Sequence, residues 1–150
     1  VYASKPLSYQ GQLIEDFSID FKDGRAVAWR AAKNESLLGQ MLSMDEGAPF
    51  LGELALVPVE SPVNQTGILF YNTLFDENAS CHVALGRGFA DCLEGFETMS
   101  KQEQTDAGVN DSIIHVDFMV GANDLSVTGF KDGRAVKVFE NGTWAEGFGG

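Results

Sequence analysis

The sequence FKDGRAV occurs twice in the chain, at residues 21–27 and at residues 130–136. Each copy predicts a β-hairpin, because Asp-Gly suits a two-residue type I′ turn in which both residues take a positive φ. Apolar and polar residues alternate before the first copy, as they do in a strand with one buried face. An Asn-Gly pair at residues 141–142 predicts a third turn of the same kind. Antiparallel pairing should therefore dominate the fold.

Other segments predict additional strands and a few helices. Apolar residues recur at helical spacing in ESLLGQMLSMDEG, which predicts a helix whose Met and Leu stripe packs in the core. ASCHVALGRGFADCLEG also predicts a helix, with Asp76 or Asn78 as its N-cap. Strands are predicted in PFLGELALVP, GILFYNTLF and SIIHVDFMV, and an exposed polar loop in SKQEQTDAGVNDS. The expected fold is α+β, an antiparallel-rich β-sheet or open barrel with hairpins and a few helices, forming one domain over residues 1–150.

The charge balance limits the class of partner. The formal net charge of −12 opposes binding to nucleic acids or to anionic membrane surfaces, because both would repel the protein. No apolar run approaches the roughly 20 residues that span a bilayer, and the N-terminal residues do not form a signal peptide. The chain begins with Val rather than Met, so we expect it to be a fragment or a processed product of something longer.

The two cysteines predict free thiols. On the predicted helix, Cys81 and Cys92 would lie about 16 Å apart along the axis, beyond the roughly 7 Å limit between the Cα atoms of a disulfide. Free thiols are typical of a reducing compartment, so we expect a cytoplasmic protein. Cys81 is expected to be a small buried apolar residue that points away from the face of His82.

Glu53, His115 and Asp117 are polar residues within apolar strand segments. Because alternate residues of a strand share a face, His115 and Asp117 should project side by side, with Cα atoms about 7 Å apart. Such a pair is half of a divalent-metal site, although it could also be an ion pair that satisfies itself. A buried Glu53 would need a partner or a cation, whereas the general exposure of Glu favours an edge strand that faces water.

His82 is the second of the two histidines in the chain. On the predicted helix it shares a face with Leu85 and Phe89, and a lone histidine on such a face is usually a hydrogen-bonded core residue. Two histidines and two carboxylates of this kind nevertheless form a ligand set for zinc, cobalt or manganese. Whether the fold brings them together cannot be derived from their spacing.

Three long motifs, FLGELALVPVESPV, GILFYNTLFDENASCHVALG and GVNDSIIHVDFMVG, resemble the C-terminal half of the thermophilic-aminopeptidase family of metallopeptidases, the aminopeptidase S and T type. The resemblance extends from QLIEDFSIDFKDGRAV to GTWAEGF. It implies a C-terminal catalytic-domain fragment of a cytoplasmic, homodimeric exopeptidase that removes N-terminal residues from peptides. The implied cofactors are two divalent ions, zinc, cobalt, manganese or magnesium, and the implied metal ligands are Glu53, His82, His115 and Asp117.

The resemblance also implies two departures from the family pattern. A further metal-binding Glu of the family belongs to a segment upstream of these residues. Phe89 occupies the position of the family's catalytic Tyr, so Glu53 and Phe89 are the implied catalytic positions and the phenolic hydroxyl is missing. Either a neighbour such as Tyr71 supplies the hydrogen-bond donor or the enzyme works without it. Asp76, Glu77 and Asn78 are expected only to cap the predicted helix.

Two other classes of function compete with the aminopeptidase interpretation. One is a catalytically inactive folded domain for dimerisation or interaction, in which the polar groups pair with each other. The other is a mononuclear metallohydrolase that uses three or four of the same ligands. For the isolated 150-residue chain we expect weak metal binding and negligible hydrolysis of Leu- or Arg-p-nitroanilide, because a two-metal site needs its full set of acids.

Overall fold

The structure is a computed structural model that describes residues 1–148. It contains three antiparallel sheets of three strands each, and no sheet closes into a barrel within these residues. The first sheet comprises β1 (Leu7–Tyr9), β2 (Gln12–Lys22) and β3 (Arg25–Lys33); the central sheet comprises β4 (Leu51–Ala55), β5 (His82–Gly86) and β6 (His115–Met119); the third comprises β7 (Val127–Lys131), β8 (Arg134–Glu140) and β9 (Thr143–Trp144). The predicted α+β class is therefore confirmed.

Short helices connect the strands. They are α1 (Glu35–Leu42), α2 (Pro62–Gln65), α3 (Thr73–Asp76) and α4 (Lys101–Asp106), with single 3₁₀ turns at Glu77–Ala79, Ala90–Cys92 and Phe96–Thr98. The predicted helix α1 is confirmed and the Leu and Met side chains within it are buried, but Met44 of the predicted stripe lies beyond its end and is 46% exposed. None of the helices in the described part of the chain has the length and apolar character needed to cross a membrane.

The three predicted turns have the expected backbone. Asp23 and Gly24 have φ values of 50° and 77°, and Asp132 and Gly133 have values of 52° and 74°. The Asn-Gly pair at residues 141–142 has values of 54° and 74°. Positive φ at both residues of each pair gives the twist that joins antiparallel strands directly. These turns therefore connect β2 to β3, β7 to β8 and β8 to β9.

The hydrophobic core lies between the first sheet, α1 and one face of the central sheet. Phe17 of β2 and Phe118 of β6 meet at its centre, with ring centroids 5.3 Å apart. Leu38 and Met41 of α1 are fully buried in the same cluster. Because this packing occupies one face of β5 and β6, the alternate residues of those strands must project from the opposite face.

The predicted helix over residues 79–95 is wrong, because the structure has strand β5 there. All five residues of β5 are buried, since the strand is the middle one of its sheet and is covered on both faces. A strand covered on both faces lacks apolar–polar alternation, so a short apolar run cannot be distinguished from a buried helix by its periodicity.

The predicted N-caps and two other predicted elements are also wrong. The side chain of Asp76 accepts hydrogen bonds from the backbone N–H groups of Phe70 and Asn72, at 2.7 and 3.0 Å, so it fixes a turn. The predicted strand GILFYNTLF contains this turn and the start of α3. The predicted polar loop contains α4, which begins with a capping box between Ser100 and Glu103.

Both cysteines are free thiols, as predicted. The helix from which this prediction was argued does not exist. Cys81 immediately precedes β5 and is 2% exposed, which confirms its expected burial. Its Sγ contacts the backbone of Val57. Cys92 lies in an exposed 3₁₀ turn.

Replacing Phe118 with Ala should lower the free energy of unfolding by about 3–5 kcal/mol, because it leaves a cavity against Phe17 in the core. Urea denaturation at pH 7 measures this change. The matched control is Phe130→Ala, since Phe130 is 79% exposed on β7 and should change the stability by less than about 0.5 kcal/mol. Equal losses in the two variants would contradict this location of the core.

Candidate metal centre

Four predicted residues meet on the face of the central sheet that points away from the core. Glu53 of β4 and Asp117 of β6 are both paired with Ala84 of β5, so the three residues form a row across the sheet. His115 is paired with Gly86, which lies two residues from Ala84 on the same face. His82 lies two residues from Ala84 in the other direction. The small side chain of Ala84 leaves space between the four larger ones.

The distances in this cluster are those of polar groups that share one site. Glu53 lies between the two imidazoles: its Oε1 is 3.4 Å from His82 Nε2, and its Oε2 is 3.5 Å from His115 Nε2. His115 Nε2 is also 3.4 Å from Asp117 Oδ1. One ligand atom from each of Glu53, His82 and Asp117 lies within 4.8 Å of the other two. The structure therefore brings together all four residues that the sequence indicated.

Backbone carbonyl groups fix the orientation of both imidazoles. Nδ1 of His82 is 3.1 Å from the carbonyl oxygen of Ser80, and Nδ1 of His115 is 2.6 Å from that of Arg87. A carbonyl oxygen only accepts hydrogen bonds, so each Nδ1 carries the hydrogen, and Nε2 of a neutral ring is left as an electron-pair donor. Both Nε2 atoms then face carboxylate oxygens, which is favourable only if a proton or a metal cation lies between them.

Asp117 gives independent support for a cation. Its side chain is 5% exposed, and its Oδ1 has no hydrogen-bond partner among residues 1–148. The 3.4 Å contact from His115 Nε2 does not have the geometry of a hydrogen bond. An unpaired buried carboxylate oxygen costs several kcal/mol. Coordination to a divalent ion would compensate this cost, so the donor set fits a metal.

Glu77 joins the cluster, although its place in the sequence predicts only a role in capping a helix. It lies in the 3₁₀ turn before β5. Burial raises the pKa of the Glu77 carboxyl, and the negative charge of Asp117 raises it further. No spacing pattern distinguishes Glu77 from its acidic neighbours, because only the turn formed by residues 73–79 directs it to the sheet face. The cluster thus holds two imidazoles and three carboxylates.

Two glycines allow close approach of neighbouring backbone in the strands that carry the site. The strand register shifts between Leu51 and Glu53, which is a β-bulge that aligns Glu53 with Ala84. A Cβ on Gly52 would lie 2.4 Å from the carbonyl oxygen of Gly86. Gly86 has a φ of 93°, and a Cβ there would lie 2.2 Å from the carbonyl oxygen of Ile114. Larger side chains at either position would displace the backbone that holds the cluster.

The loop after β5 is held by Asn110. Its side-chain amide donates to the carbonyl oxygens of Gly86 and Gly47, at 2.6 and 2.8 Å. Its own backbone carbonyl accepts from the N–H of Gly88, at 2.9 Å. These bonds flank Arg87, whose carbonyl oxygen orients His115. Asn110 therefore fixes the support of His115 without contacting the ring.

Asp45 anchors the segment that leads into β6. Its carboxylate accepts hydrogen bonds from the backbone N–H of Ile113 at 2.6 Å, the hydroxyl of Ser112 at 2.9 Å and the backbone N–H of Ala48 at 2.7 Å. These bonds, of which that from Ile113 has the largest effect, hold the pKa of the Asp45 carboxyl below its ordinary value. The position of His115 therefore depends on a carboxylate outside the cluster.

Phe89 lies beside the cluster, but not on a helix with His82 as predicted. Its ring centroid is 4.7 Å from that of His115, with the two planes inclined by 52°. The side chain is 47% exposed, so one part of the ring contacts the imidazole and the rest faces solvent. Tyr71, the alternative hydroxyl donor, is 64% exposed in the turn before α3 and has a left-handed backbone with φ 58°.

An α+β domain with imidazoles and carboxylates clustered on one sheet face is typical of a metalloprotein. The sequence model of the thermophilic metalloprotease (M29) family matches residues 1–144, and the chain belongs to this family. It is 49% identical to aminopeptidase AmpS of Bacillus subtilis (strain 168), covering 97% of this chain and 36% of that protein. It is 48% identical to aminopeptidase 2 of Geobacillus stearothermophilus, covering 95% of this chain and 35% of that protein.

The fold is also similar to that of a solved structure, wild-type AmpT from Thermus thermophilus. The TM-score is 0.86 at 42% sequence identity, and the match covers 96% of this chain and 35% of that one. The chain thus spans about a third of the length of these relatives. The resemblance found in the sequence motifs is confirmed.

Replacing Asp45 with Asn should destabilise the protein at pH 7 and have little effect in acid. The pKa of this carboxyl is lowered by folding, so its stabilising effect is complete above the ordinary value of 3.8 and is lost as pH falls through the lower folded value. Urea midpoints at pH 7, 5, 4 and 3 should show a difference from wild type that narrows only below pH 4. The control is Asp124→Asn, which changes an exposed carboxylate without a hydrogen bond in residues 1–148. A difference in urea midpoint between Asp45→Asn and wild type that was as large at pH 3 as at pH 7 would contradict the prediction.

Proposed function

We propose that the protein containing this chain is a metal-dependent aminopeptidase that removes N-terminal residues from peptides. The observation that carries this proposal is the convergence of Glu53, His82, His115 and Asp117, with a buried Asp117 oxygen that has no hydrogen-bond partner among residues 1–148. Membership of a metalloprotease family and the aminopeptidase names of its relatives support it. We also propose that residues 1–150 form one domain within the C-terminal catalytic part of that protein.

The proposed ligands are Nε2 of each histidine and the carboxylates of Glu53 and Asp117, with Glu77 as a third acid. The two oxygens of Glu53 face different imidazoles, so Glu53 would help to hold a divalent ion together with either histidine. Bound divalent ions would polarise the scissile carbonyl group and lower the pKa of a water molecule. Zinc, cobalt, manganese and magnesium are the proposed metals.

The residues of the chain itself would orient these ligands and handle the proton. The carbonyl groups of Ser80 and Arg87 keep each Nε2 free of hydrogen and directed at the carboxylates. Glu53 is 29% exposed in its side chain, whereas Asp117 is 5% exposed. Glu53 is therefore the carboxylate of the pair that substrate and water reach more easily, which supports its assignment as a catalytic position.

A mononuclear metallohydrolase is the second candidate. One observation favours it: in the described part of the chain, a single group of ligand atoms, from Glu53, His82 and Asp117, satisfies the distances for one ion. Metal analysis of the full-length protein distinguishes the two candidates, because a mononuclear centre gives one ion per chain and a dinuclear centre gives two.

We further propose that the protein is a cytoplasmic homodimer. The free thiols support a cytoplasmic location, and the exposed apolar side chains of Ile68, Leu74 and Phe75 support an interface between two chains.

The chain should bind zinc or cobalt weakly, and the His115→Ala variant should bind at least about tenfold more weakly, because it loses one nitrogen donor. Equilibrium dialysis followed by elemental analysis measures both. Asp124→Asn is the control for loss of an exposed acid. No binding above background by the wild-type chain, or equal binding by His115→Ala, would exclude the proposed metal centre.

Glu77→Gln should have opposite effects on metal affinity and stability. Removing one carboxylate from three should weaken metal binding, whereas it should raise the free energy of unfolding of the chain in EDTA, because a like charge near Asp117 is removed. Dialysis and urea denaturation give the two values. A variant that lost stability in EDTA would show that Glu77 is a structural residue rather than part of the metal centre.

Phe89→Tyr should raise kcat at least about tenfold in the full-length protein, because a hydroxyl beside His115 adds a hydrogen-bond donor near the developing negative charge. Hydrolysis of Leu-p-nitroanilide measures it, with Phe130→Tyr on exposed β7 as the control. An unchanged kcat would show that position 89 does not reach the reacting atoms. In that case Tyr71→Phe tests whether Tyr71 supplies the hydroxyl.

A further inference from the structure

A cavity of about 470 Å³ opens beside the cluster and shares Glu53 with it. We call it the Glu53 cavity. Among its lining residues are Glu53, Phe89, Asp91, Cys92, Leu93 and Val109. Phe89 separates this space from His115, because its ring packs on the imidazole. The cavity is therefore adjacent to the cluster on the side where Glu53 and Phe89 are exposed.

The lining of the Glu53 cavity combines apolar walls with negative charge. Phe89, Leu93 and Val109 provide apolar surface, while Glu53 and Asp91 are the charged lining residues. No Lys, Arg or His side chain lines it in the part of the chain that the structure describes. The amide N–H groups of Asn110 are used on the carbonyl oxygens of Gly86 and Gly47. An acidic side chain would therefore meet the carboxylate of Asp91 and no lining Lys, Arg or His side chain to pair with.

The next cavity has the opposite character. It measures about 310 Å³, shares Phe89 with the Glu53 cavity and is lined by Arg87, Lys101 and Asp111. Lys101 is paired with Asp111 at 2.7 Å, whereas the exposed Arg87 side chain has no carboxylate partner within residues 1–148. The charged lining residues of this cavity thus carry a net positive charge, whereas those of the Glu53 cavity are both acidic. Such a division favours one orientation for a peptide, whose N-terminus is positive and whose C-terminus is negative.

The chemistry of an aminopeptidase connects the Glu53 cavity to the substrate. The scissile carbonyl group belongs to the first residue of the peptide, so the side chain and the ammonium group of that residue branch from the adjacent carbon atom. When the carbonyl group lies at the cluster, both branches extend only a few bonds from Glu53. The Glu53 cavity, which shares that residue, is the adjacent space in which they fit.

We propose that the Glu53 cavity binds the side chain of the substrate's N-terminal residue and that Asp91 determines its charge preference. This inference rests on the proposed aminopeptidase function. Apolar side chains pack on Phe89, Leu93 and Val109. Lys and Arg side chains pack their stems there and place their cationic ends near Asp91. Peptides that begin with Asp or Glu are disfavoured, because their side chains are repelled by Asp91.

The test exchanges the charge at Asp91 in the full-length protein that carries this chain. kcat/KM is measured for the p-nitroanilides of Arg, Leu and Glu, and the values for Arg and Glu are divided by the value for Leu. Asp91→Lys should lower the Arg/Leu ratio about tenfold and raise the Glu/Leu ratio by a similar factor, while Asp91→Asn should change each ratio about threefold. The matched control is Glu97→Lys, the same change of charge at an exposed residue of the following turn that does not line the cavity.

A second variant tests the volume of the cavity rather than its charge. Val109→Phe fills part of the space, so it should lower kcat/KM for Leu- and Arg-p-nitroanilide about tenfold relative to Ala-p-nitroanilide. Retained hydrolysis of the Ala substrate shows that the variant is folded and has its metal centre. If Val109→Phe instead lowers the hydrolysis of the Leu, Arg and Ala substrates by the same factor, Val109 supports the structure of the site and does not contact the substrate side chain.

The outcomes separate this inference from the function on which it rests. If the wild-type protein hydrolyses none of the p-nitroanilides, the proposed aminopeptidase function is wrong. If it hydrolyses them but Asp91→Lys and Glu97→Lys give the same Arg/Leu and Glu/Leu ratios, the function stands and the Glu53 cavity is not the subsite. Ratios that move only with Asp91 support the proposal.

Discussion

Two hydrogen bonds determine the chemistry of the central sheet. One runs from His82 Nδ1 to the carbonyl oxygen of Ser80, and the other runs from His115 Nδ1 to the carbonyl oxygen of Arg87. They leave each Nε2 as an electron-pair donor directed at carboxylate oxygens that are also electron-pair donors. Protein groups alone pair poorly in this arrangement, since Oδ1 of Asp117 has no hydrogen-bond partner in the described part of the chain. The sheet therefore holds a set of donors in a geometry that a divalent cation would stabilise.

This arrangement depends on a rigid core and on the absence of side chains at a few positions. Phe17 and Phe118 fix the opposite face of the sheet, so the strands that carry the cluster have little freedom to separate. Ala84 leaves the middle of the cluster open, and Gly52 and Gly86 let the neighbouring backbone approach within distances that a Cβ would prevent. Asn110 fixes the loop after β5, and Asp45 fixes the segment that leads into β6, through backbone groups rather than through the ligands.

The sequence predicted some elements for the correct reason and one for the wrong reason. The Asp-Gly and Asn-Gly turns and the amphipathic helix α1 follow from local rules, and all of them are present. His115 and Asp117 share a face because β6 has the predicted period of two. His82 was singled out on a helix that does not exist; it reaches the cluster because β5 is a strand that pairs with both β4 and β6. Phe89 was likewise expected along that helix, and instead it packs on His115.

The sequence by itself determined the antiparallel turns, the α+β class and the family, because turn residues, periodicity and long motifs are local properties of the chain. Tertiary structure alone decided that Glu53, His82 and His115 meet, since strand register depends on which segments pair and on the bulge beside Gly52. It also decided that Glu77 faces Asp117, because a short turn over residues 73–79 directs this one acid among several to the sheet. The distances between segments depend on the packing free energy of the whole core. A local pattern of residues does not determine that free energy.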